Sequence, residues 1–107
     1  MKQLGNLEET ILLLVLGLDE AGAYGVSIAE AYEQEMGKSI SIPAIHTVLK
    51  RLESKKLIDS ELGEATKTRG GKRKRLYKIN RAGYATLQEI QFSRQRLWQA
   101  APKLQFD

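Results

Sequence analysis

The spacing of apolar side chains changes along the chain and predicts three helices, two strands and a last helix. The clearest stretch is residues 42–54, where four apolar positions follow the i, i+3, i+4, i+7 spacing of one helix face. These positions are Ile45, Val48, Leu49 and Leu52. Ser41 is a good N-cap for this third helix, and Pro43 is tolerated because it falls in the first turn.

Two helices are predicted before it. The first covers about residues 7–20 and starts at a capping-box arrangement of Asn6 and Glu9. Its apolar positions surround nearly the whole helix, and they are Leu7, Ile11, Leu12, Leu13, Leu14, Val15, Leu16 and Leu18. A domain of 107 residues covers about one side of such a helix, so either other elements or a second subunit must cover the rest. The second helix begins at Ser27 or slightly earlier and ends at Gly37.

Alternation of apolar and polar residues with a period of two predicts a β-hairpin after the third helix. Residues 57–62 and 73–79 are the predicted strands and residues 63–72 a polar turn, with Tyr77 and Ile79 on one face of the second strand. Asn80 then caps a helix of about residues 81–101, which Pro102 ends. Arg94 interrupts the apolar stripe of this helix. The stripe consists of Leu87, Ile90, Leu97 and Ala101, with Trp98 as a further candidate.

Three helices, a two-stranded wing and a trailing helix are the order of a winged helix-turn-helix. The predicted fold class is therefore mainly α with a small β-hairpin, in one structural unit. Residues 1–80 would form a winged-helix DNA-binding domain, and residues 81–107 a C-terminal dimerisation helix and tail. In this architecture the third helix enters the major groove of DNA, and the wing lies along the backbone or minor groove.

Positive charge is concentrated in the hairpin. Residues 67–81 hold eight of the seventeen Lys and Arg residues and no acid, whereas the other 92 residues carry nine basic and thirteen acidic side chains. Such a ribbon suits a polyanion because each cation near a phosphate releases condensed counterions. A solvated, disordered basic run is the alternative interpretation. The break at Gly70 and Gly71 and the strand that follows favour a hairpin with a basic tip.

The predicted DNA-binding residues combine the outward face of the third helix with this wing. The helix face is small near its N-terminus, where backbones approach closely, and basic further along, where long side chains reach bases or phosphates. Its members are Ser41, Pro43, Ala44, His46, Thr47, Lys50 and Arg51. The wing contributes Arg69, Lys72, Arg73, Lys74 and Arg75. An ordinary solvated helix face is the competing interpretation of the helix positions.

The amino-acid composition limits which other classes of function are possible. The chain has no cysteine and one histidine, which excludes disulfides and thiolate metal sites and leaves too few ligands for a metal sensor. The sequence contains no phosphate-binding glycine loop and no nucleophile with a neighbouring base, so an enzyme is the poorest alternative and no cofactor is expected. The longest apolar run, residues 11–18, is too short to span a membrane, and a cytoplasmic location is expected. An RNA-binding module and a protein-interaction module on the same fold stay open.

Two segments resemble the PadR-type transcriptional regulators. Residues 42–58, IPAIHTVLKRLESKKLI, are similar to the family's Pro-Gly-Thr-Leu-Tyr stretch that runs into Leu-Lys-Arg-Leu-Glu and ends in Gly-Leu-Ile. Residues 69–83, RGGKRKRLYKINRAG, resemble the family's wing, with Gly-Gly, an Arg-Lys pair, Tyr, Leu-Thr and a closing Ala-Gly. Tyr24 and Gly25 resemble the aromatic-Gly step that begins its second helix. The likeness covers about residues 6–97, and the length matches the short branch of the family with a single C-terminal helix.

By this resemblance the protein would be a bacterial transcriptional regulator, usually a repressor, that binds a pseudo-palindromic operator in duplex DNA as a homodimer. The first and last helices would pair the subunits through Leu7, Ile11, Leu14, Ile90, Leu97 and Trp98. The resemblance also implies a small hydrophobic or aromatic effector between the subunits, against Trp98. A role of Trp98 in the interface core alone is the alternative.

The chain departs from the family pattern at several positions. His46 stands where the family carries a Tyr that contacts DNA, and Lys56 replaces a Gly before the Leu-Ile pair. Ala44 replaces part of a glycine element, Leu76 replaces a wing aromatic, and Asn80 replaces a Thr that caps helices equally well. The expected consequence is a different operator or a different docking of the third helix, with DNA binding retained.

Overall fold

The elements of the fold follow the order expected from the sequence. The computed structural model describes residues 3–65 and 73–107. Within them the elements are α1 Asn6–Gly17, α2 Gly25–Met36, α3 Ile42–Ser54, β1 Ile58–Ala65, β2 Arg73–Ile79 and α4 Arg81–Ala100. The two strands pair antiparallel, with Ile58 opposite Ile79 and Ser60 opposite Tyr77. The predicted winged helix-turn-helix is confirmed. β1 continues to Ala65, so the first part of the predicted turn belongs to the strand, and residues 66–72 lie outside the described residues.

The third helix supplies the centre of the core. Its four predicted core residues, Ile45, Val48, Leu49 and Leu52, are each at most 3% exposed. Ser41 caps the helix as predicted, since its hydroxyl oxygen accepts a hydrogen bond from the Ala44 amide at 3.2 Å. The other elements close around this face with buried side chains. These include Leu12 and Val15 of α1, Ile28 and Tyr32 of α2, Leu57 and Ile58 near the start of the wing, Tyr77 of β2 and Leu87 of α4.

The first helix is shorter than predicted and is capped differently. α1 ends at Gly17, and its N-cap is Gly5 instead of Asn6. Glu8 closes the first turn, because its carboxylate accepts a hydrogen bond from the Gly5 amide at 3.0 Å. Burial would raise the pKa of Glu8, but its hydrogen bonds to Lys55 and Gly5 and the nearby positive charges hold the pKa below its ordinary value. The Lys55 ammonium lies 2.7 Å from this carboxylate and ties α1 to the end of α3.

The apolar surface of α1 is only partly covered within the chain. Leu14 is half-buried, whereas Leu7 and Leu13 remain 38% and 40% exposed. Ile11 is completely buried in the core of its own chain. This corrects its prediction as a dimer-interface residue, because it offers no surface to a partner. Among the described residues, no helix is long and apolar enough to cross a membrane.

The second helix begins two residues before the predicted Ser27. Ser27 is the third residue of α2, and its hydroxyl oxygen accepts a hydrogen bond from the Tyr24 amide at 2.8 Å. It therefore caps the helix from inside the first turn. Gly37 ends α2 in the left-handed conformation, with φ 73°, as the sequence predicts.

Lys56 adopts the left-handed conformation in the turn between α3 and β1, with φ 61°. Residues other than glycine rarely adopt this backbone conformation, because it brings Cβ close to the following carbonyl oxygen. The Asn80 side-chain amide donates a hydrogen bond to the Lys56 carbonyl at 3.0 Å and holds the turn in place. The glycine that the resembling family pattern has in place of Lys56 would adopt this conformation without the Cβ penalty.

We expect Lys56→Gly to stabilise the protein by about 1 kcal/mol, because glycine adopts this conformation without the Cβ penalty. Gly37→Ala is the matched change of opposite sign. An added Cβ there meets nothing within 4 Å, so the substitution introduces only backbone strain and should cost about 1 kcal/mol. Denaturant unfolding at one fixed protein concentration measures both changes. Equal stability of Lys56→Gly and the parent would contradict the strain that we assign to this turn.

The first half of α4 holds the helix against the rest of the chain. Asn80 caps it as predicted, since its side-chain oxygen accepts a hydrogen bond from the Gly83 amide at 2.9 Å. Leu87 is buried and Ile90 is half-buried. From residue 91 onward every residue is exposed, including most of the predicted apolar stripe.

An ion pair explains the polar interruption of that stripe at Arg94. Its guanidinium lies 2.9 Å from the carboxylate of Glu9, whose side chain is only 6% exposed at the surface of α1. Charge on a buried carboxylate is tolerated only when such a partner is present. The pair thus holds the middle of α4 close to the start of α1.

Candidate nucleic-acid interface

The outward face of α3 is open to solvent. Ser41, Pro43, His46, Thr47, Lys50 and Arg51 are exposed, and Ala44 is half-buried. Thr47 donates its hydroxyl proton to the Pro43 carbonyl at 3.0 Å, so its hydroxyl can only accept a hydrogen bond from a ligand on this face. The face combines small groups near the helix start with a long cationic side chain, Lys50, two turns further on.

The wing approaches α3 along a groove that we call the contact groove. Its lining residues are His46, Lys50, Glu53 and Ser54 of α3 and Arg75 and Tyr77 of β2. Lys50 comes from the helix and Arg75 from the wing, so cations border the groove on both sides. These two cations outnumber the single acid of the lining, Glu53, so the groove favours an anionic ligand that touches helix and wing together.

A hydrogen-bonded chain fixes the wing against the end of α3. The Arg75 guanidinium donates to the Ser60 hydroxyl oxygen at 3.0 Å. The same hydroxyl donates to the Glu53 carboxylate, also at 3.0 Å. These two hydrogen bonds hold Arg75 beside the contact groove, and its side chain stays exposed. Ser60 thus links Arg75 to Glu53 without a direct ion pair between the two.

His46 lies at the junction of α3, the wing and the start of α2. The Tyr77 hydroxyl is 3.5 Å from Nδ1 of His46. Burial raises the pKa of the Tyr77 phenol above its ordinary value, and the charge of Glu53 raises it further, while Arg75 opposes the shift. The phenol therefore keeps its proton at neutral pH. A Cβ added to Gly25 would lie 3.1 Å from Nε2 of His46, so the glycine makes room for the imidazole.

A second groove, which we call the apolar groove, lies beside the first under the wing. Val26 near the start of α2, Ile42 at the start of α3 and Leu62 of β1 form its apolar part. Lys74 and Arg75 of β2 border it. Lys74 also stacks over an aromatic ring, with its ammonium 5.8 Å from the centre of the Tyr24 ring. This contact places a cation of the wing next to the N-terminus of α2.

Four of the twelve predicted DNA-binding residues line the two grooves: His46, Lys50, Lys74 and Arg75. Ser41, Pro43, Ala44 and Thr47 belong to the outward face of α3 and its cap. Arg51 is the exception on α3, because it lies towards α1, where its positive charge lowers the pKa of Glu8. Arg69 and Lys72 lie outside the described residues, and only the backbone of Arg73 is described. Five residues that shape the site were not predicted as site residues: Tyr24, Gly25, Glu53, Ser60 and Tyr77. The aromatic-Gly step marked Tyr24 and Gly25, and the strand alternation marked Tyr77. Neither pattern indicated that these residues would meet His46 and Lys74.

The family to which the chain belongs is identified by comparison with known proteins. The sequence model of the family described as transcriptional regulator PadR-like matches residues 12–89, which include both grooves. The chain belongs to this family. The resemblance expected from the helix and wing segments is thereby confirmed, and the protein is a transcriptional regulator of the PadR-like type.

Relatives of this PadR-like regulator extend the comparison. An uncharacterized protein of Lysinibacillus sphaericus is 34% identical over 88 residues, which are 80% of this chain and 75% of that protein. The crystal structure of a PadR-like transcription factor from Bacteroides fragilis is similar with a TM-score of 0.72 and 26% identity, over 87% of this chain and 84% of that one. The structure of Bacillus subtilis PadR in complex with operator DNA shares the fold, with a TM-score of 0.64 and 18% identity. That match covers 95% of this chain and 51% of the Bacillus subtilis chain.

Proposed function

We propose that this PadR-like regulator binds duplex DNA sequence-specifically, with α3 in the major groove and the wing along the backbone. The observation that carries the proposal is the contact groove, where Lys50 of α3 and Arg75 of the wing border one anion-attracting channel. Phosphate contacts of this kind position a protein on DNA, while the helix face reads base edges. His46, Thr47 and Lys50 are the side chains of that face that we assign to base reading, and Lys74 and Arg75 those assigned to phosphates.

We further propose that the regulator acts as a homodimer paired through α1 and α4. Exposed apolar residues on these two helices support this, because monomeric proteins rarely leave a surface of this kind in water. They are Leu7 and Leu13 of α1 and Leu97 and Trp98 of α4. In this proposal residues 81–107 are the dimerisation helix and tail. A two-fold axis would place the two recognition helices about one DNA turn apart, roughly 34 Å, on a pseudo-palindromic operator.

Repression is the regulatory outcome that we propose, since a dimer bound across an operator excludes other proteins from that DNA. The Bacillus subtilis PadR structure, a protein of the same family bound to its operator DNA, supports this direction. A hydrophobic or aromatic effector seated against the exposed ring of Trp98 would act by changing the pairing of the subunits. The site of action would be the cytoplasm, where the genomic DNA of a bacterium lies.

We expect the wing to supply electrostatic affinity that is common to all duplex sequences. Lys74→Ala should weaken binding to specific and non-specific duplexes alike, and should lower the slope of log affinity against log salt by about one unit for each lost phosphate contact. Binding measured at several salt concentrations on a duplex selected from random DNA tests this expectation.

Lys38→Ala is the matched control for that experiment. It removes the same charge from the exposed turn between α2 and α3, outside both grooves and outside the helices proposed to pair, so the salt slope should remain that of the parent. If Lys74→Ala leaves the slope unchanged, the basic wing faces something other than DNA. If the parent selects no duplex from random DNA, a protein-interaction role on the same fold replaces the proposed function.

A further inference from the structure

The apolar groove is not explained by phosphate binding. Val26, Ile42 and Leu62 leave 54%, 36% and 47% of their surface exposed, although they converge from three different elements on one groove. Phosphate oxygens require N–H or O–H donors, which these side chains lack. Exposed aliphatic surface costs about 25 cal/mol for each Å² that a partner could cover. The groove therefore suits a partner with an apolar group.

The charge around the groove restricts the chemistry of that partner. Lys74 and Arg75 border it, His46 lies at its edge, and none of the described residues that line it is acidic. The occupant should therefore be anionic outside the groove and apolar where it enters. A protein segment of ordinary composition meets this description poorly, whereas duplex DNA meets it wherever a methyl group lies next to the phosphate backbone.

Duplex DNA has one apolar group in its major groove, the C5-methyl of thymine. The groove is placed to meet it, because Ile42 is the first residue of α3. Residues at the N-terminal end of a recognition helix are the ones that contact base edges. Val26 lies near the start of α2, beside Ile42 in the same groove.

We propose that Val26 and Ile42 form a reading site for a thymine methyl group, with Leu62 of the wing closing the far side. This inference rests on the proposed function, because it adds one contact to the DNA complex proposed above. Cytosine at the same position would place its N4 amine in the major groove, where the aliphatic side chains offer no acceptor. The site would thus favour thymine, whose methyl group it contacts, over cytosine, whose N4 amine would find no hydrogen-bond acceptor there.

The test removes the methyl group and nothing else. A duplex is selected from random DNA by the parent protein, and each thymine is then replaced in turn by deoxyuridine, which keeps the base pair and lacks only the C5-methyl. We expect binding to weaken about fourfold at one position in each half-site, the ratio expected for one buried methyl-sized group, and to stay unchanged at the other positions.

Two variants assign that methyl contact to the groove. Ile42→Ala and Val26→Ala should each bind the thymine duplex several-fold more weakly than the parent and should bind the thymine and deoxyuridine duplexes nearly equally. Met36→Ala is the matched control, because Met36 is also exposed, at 48%, but lies at the other end of α2 outside the groove. It should keep the fourfold preference of the parent. Thermal unfolding of each variant checks that the fold is retained.

The outcomes separate this inference from the proposed function. If the parent selects a duplex with a steep salt dependence but binds every deoxyuridine duplex equally, the inference is wrong and the proposed function stands. A thymine preference that persists in both Ile42→Ala and Val26→Ala would overturn the inference as well, because the methyl would then be read elsewhere. Failure to select any duplex would contradict the proposed function first.

Discussion

Gly83→Ala is expected to destabilise the protein by about 3 kcal/mol or more, the upper end of the range for overpacked sites. A Cβ built at Gly83 would lie 2.1 Å from the carbonyl oxygen of Leu57 and 2.8 Å from the Ile79 side chain. The first of these atoms belongs to the backbone, which cannot rotate away as a long side chain can. The same carbonyl also accepts a hydrogen bond from the Asn80 amide at 3.3 Å, so moving α4 outward would weaken that contact too.

Gly17→Ala is the matched control, because an alanine there meets nothing within 4 Å at the last residue of α1. It should leave stability unchanged or raise it by up to about 1 kcal/mol. Thermal unfolding at one fixed protein concentration measures both variants, and Gly83→Ala should lower the midpoint by roughly 10 °C or more. A Gly83→Ala protein that unfolds at the parental temperature would show that the contact between α4 and the turn after α3 is loose.

Trp98→Ala is expected to dissociate the proposed dimer. Trp98 is 79% exposed in the isolated chain, one helical turn beyond Arg94, whose ion pair with Glu9 marks the face of α4 towards α1. An interface tryptophan of this kind contributes about 2 kcal/mol or more to the free energy of association, and the substitution removes one such side chain from each subunit of a two-fold dimer. About 4 kcal/mol corresponds to a roughly thousandfold weaker dimer. Binding to a two-half-site operator should fall with it, while each winged helix stays folded.

Phe92→Ala provides the control on the same helix. Phe92 is 65% exposed and points to a different side of α4, where the Arg96 guanidinium lies 5.8 Å from its ring centre. Sedimentation over a concentration series should show the parent and Phe92→Ala as dimers at low micromolar concentration and Trp98→Ala as a monomer. A well-folded parental monomer that binds a single half-site tightly would contradict the proposed pairing.

The elements that the sequence predicted well depend on contacts within one or two helical turns. The buried face of α3, the Ser41 cap, the stop at Gly37 and the Asn80 cap all follow from residues at most seven positions apart. Hydrophobic spacing and side-chain capping act over this range, so the order of elements and the winged helix-turn-helix could be read without any tertiary information.

The candidate site could be predicted only in part. Periodicity identified the outward face of α3, and the density of Lys and Arg identified the wing. Neither signal indicates that Arg75 is held by Ser60, or that His46 meets Tyr77 and Gly25, since these pairs join residues from different elements. The alternation that placed Tyr77 and Ile79 on one face of the strand did not reveal which helix residue Tyr77 would meet.

Two neighbouring acids show where the sequence alone stops being sufficient. Glu8 and Glu9 fit the start of α1 equally well by local pattern, and the capping-box spacing from Asn6 favours Glu9. In the structure Lys55, which lies 47 positions after Glu8, binds Glu8, and Glu8 also caps the first turn. Arg94 of α4 binds Glu9 instead. The sequence by itself determined that a helix starts here and that acids suit its first turn. Only the tertiary structure decided which carboxylate caps it and which one anchors α4, because that choice depends on cations brought close by the packing of α3 and α4 against α1.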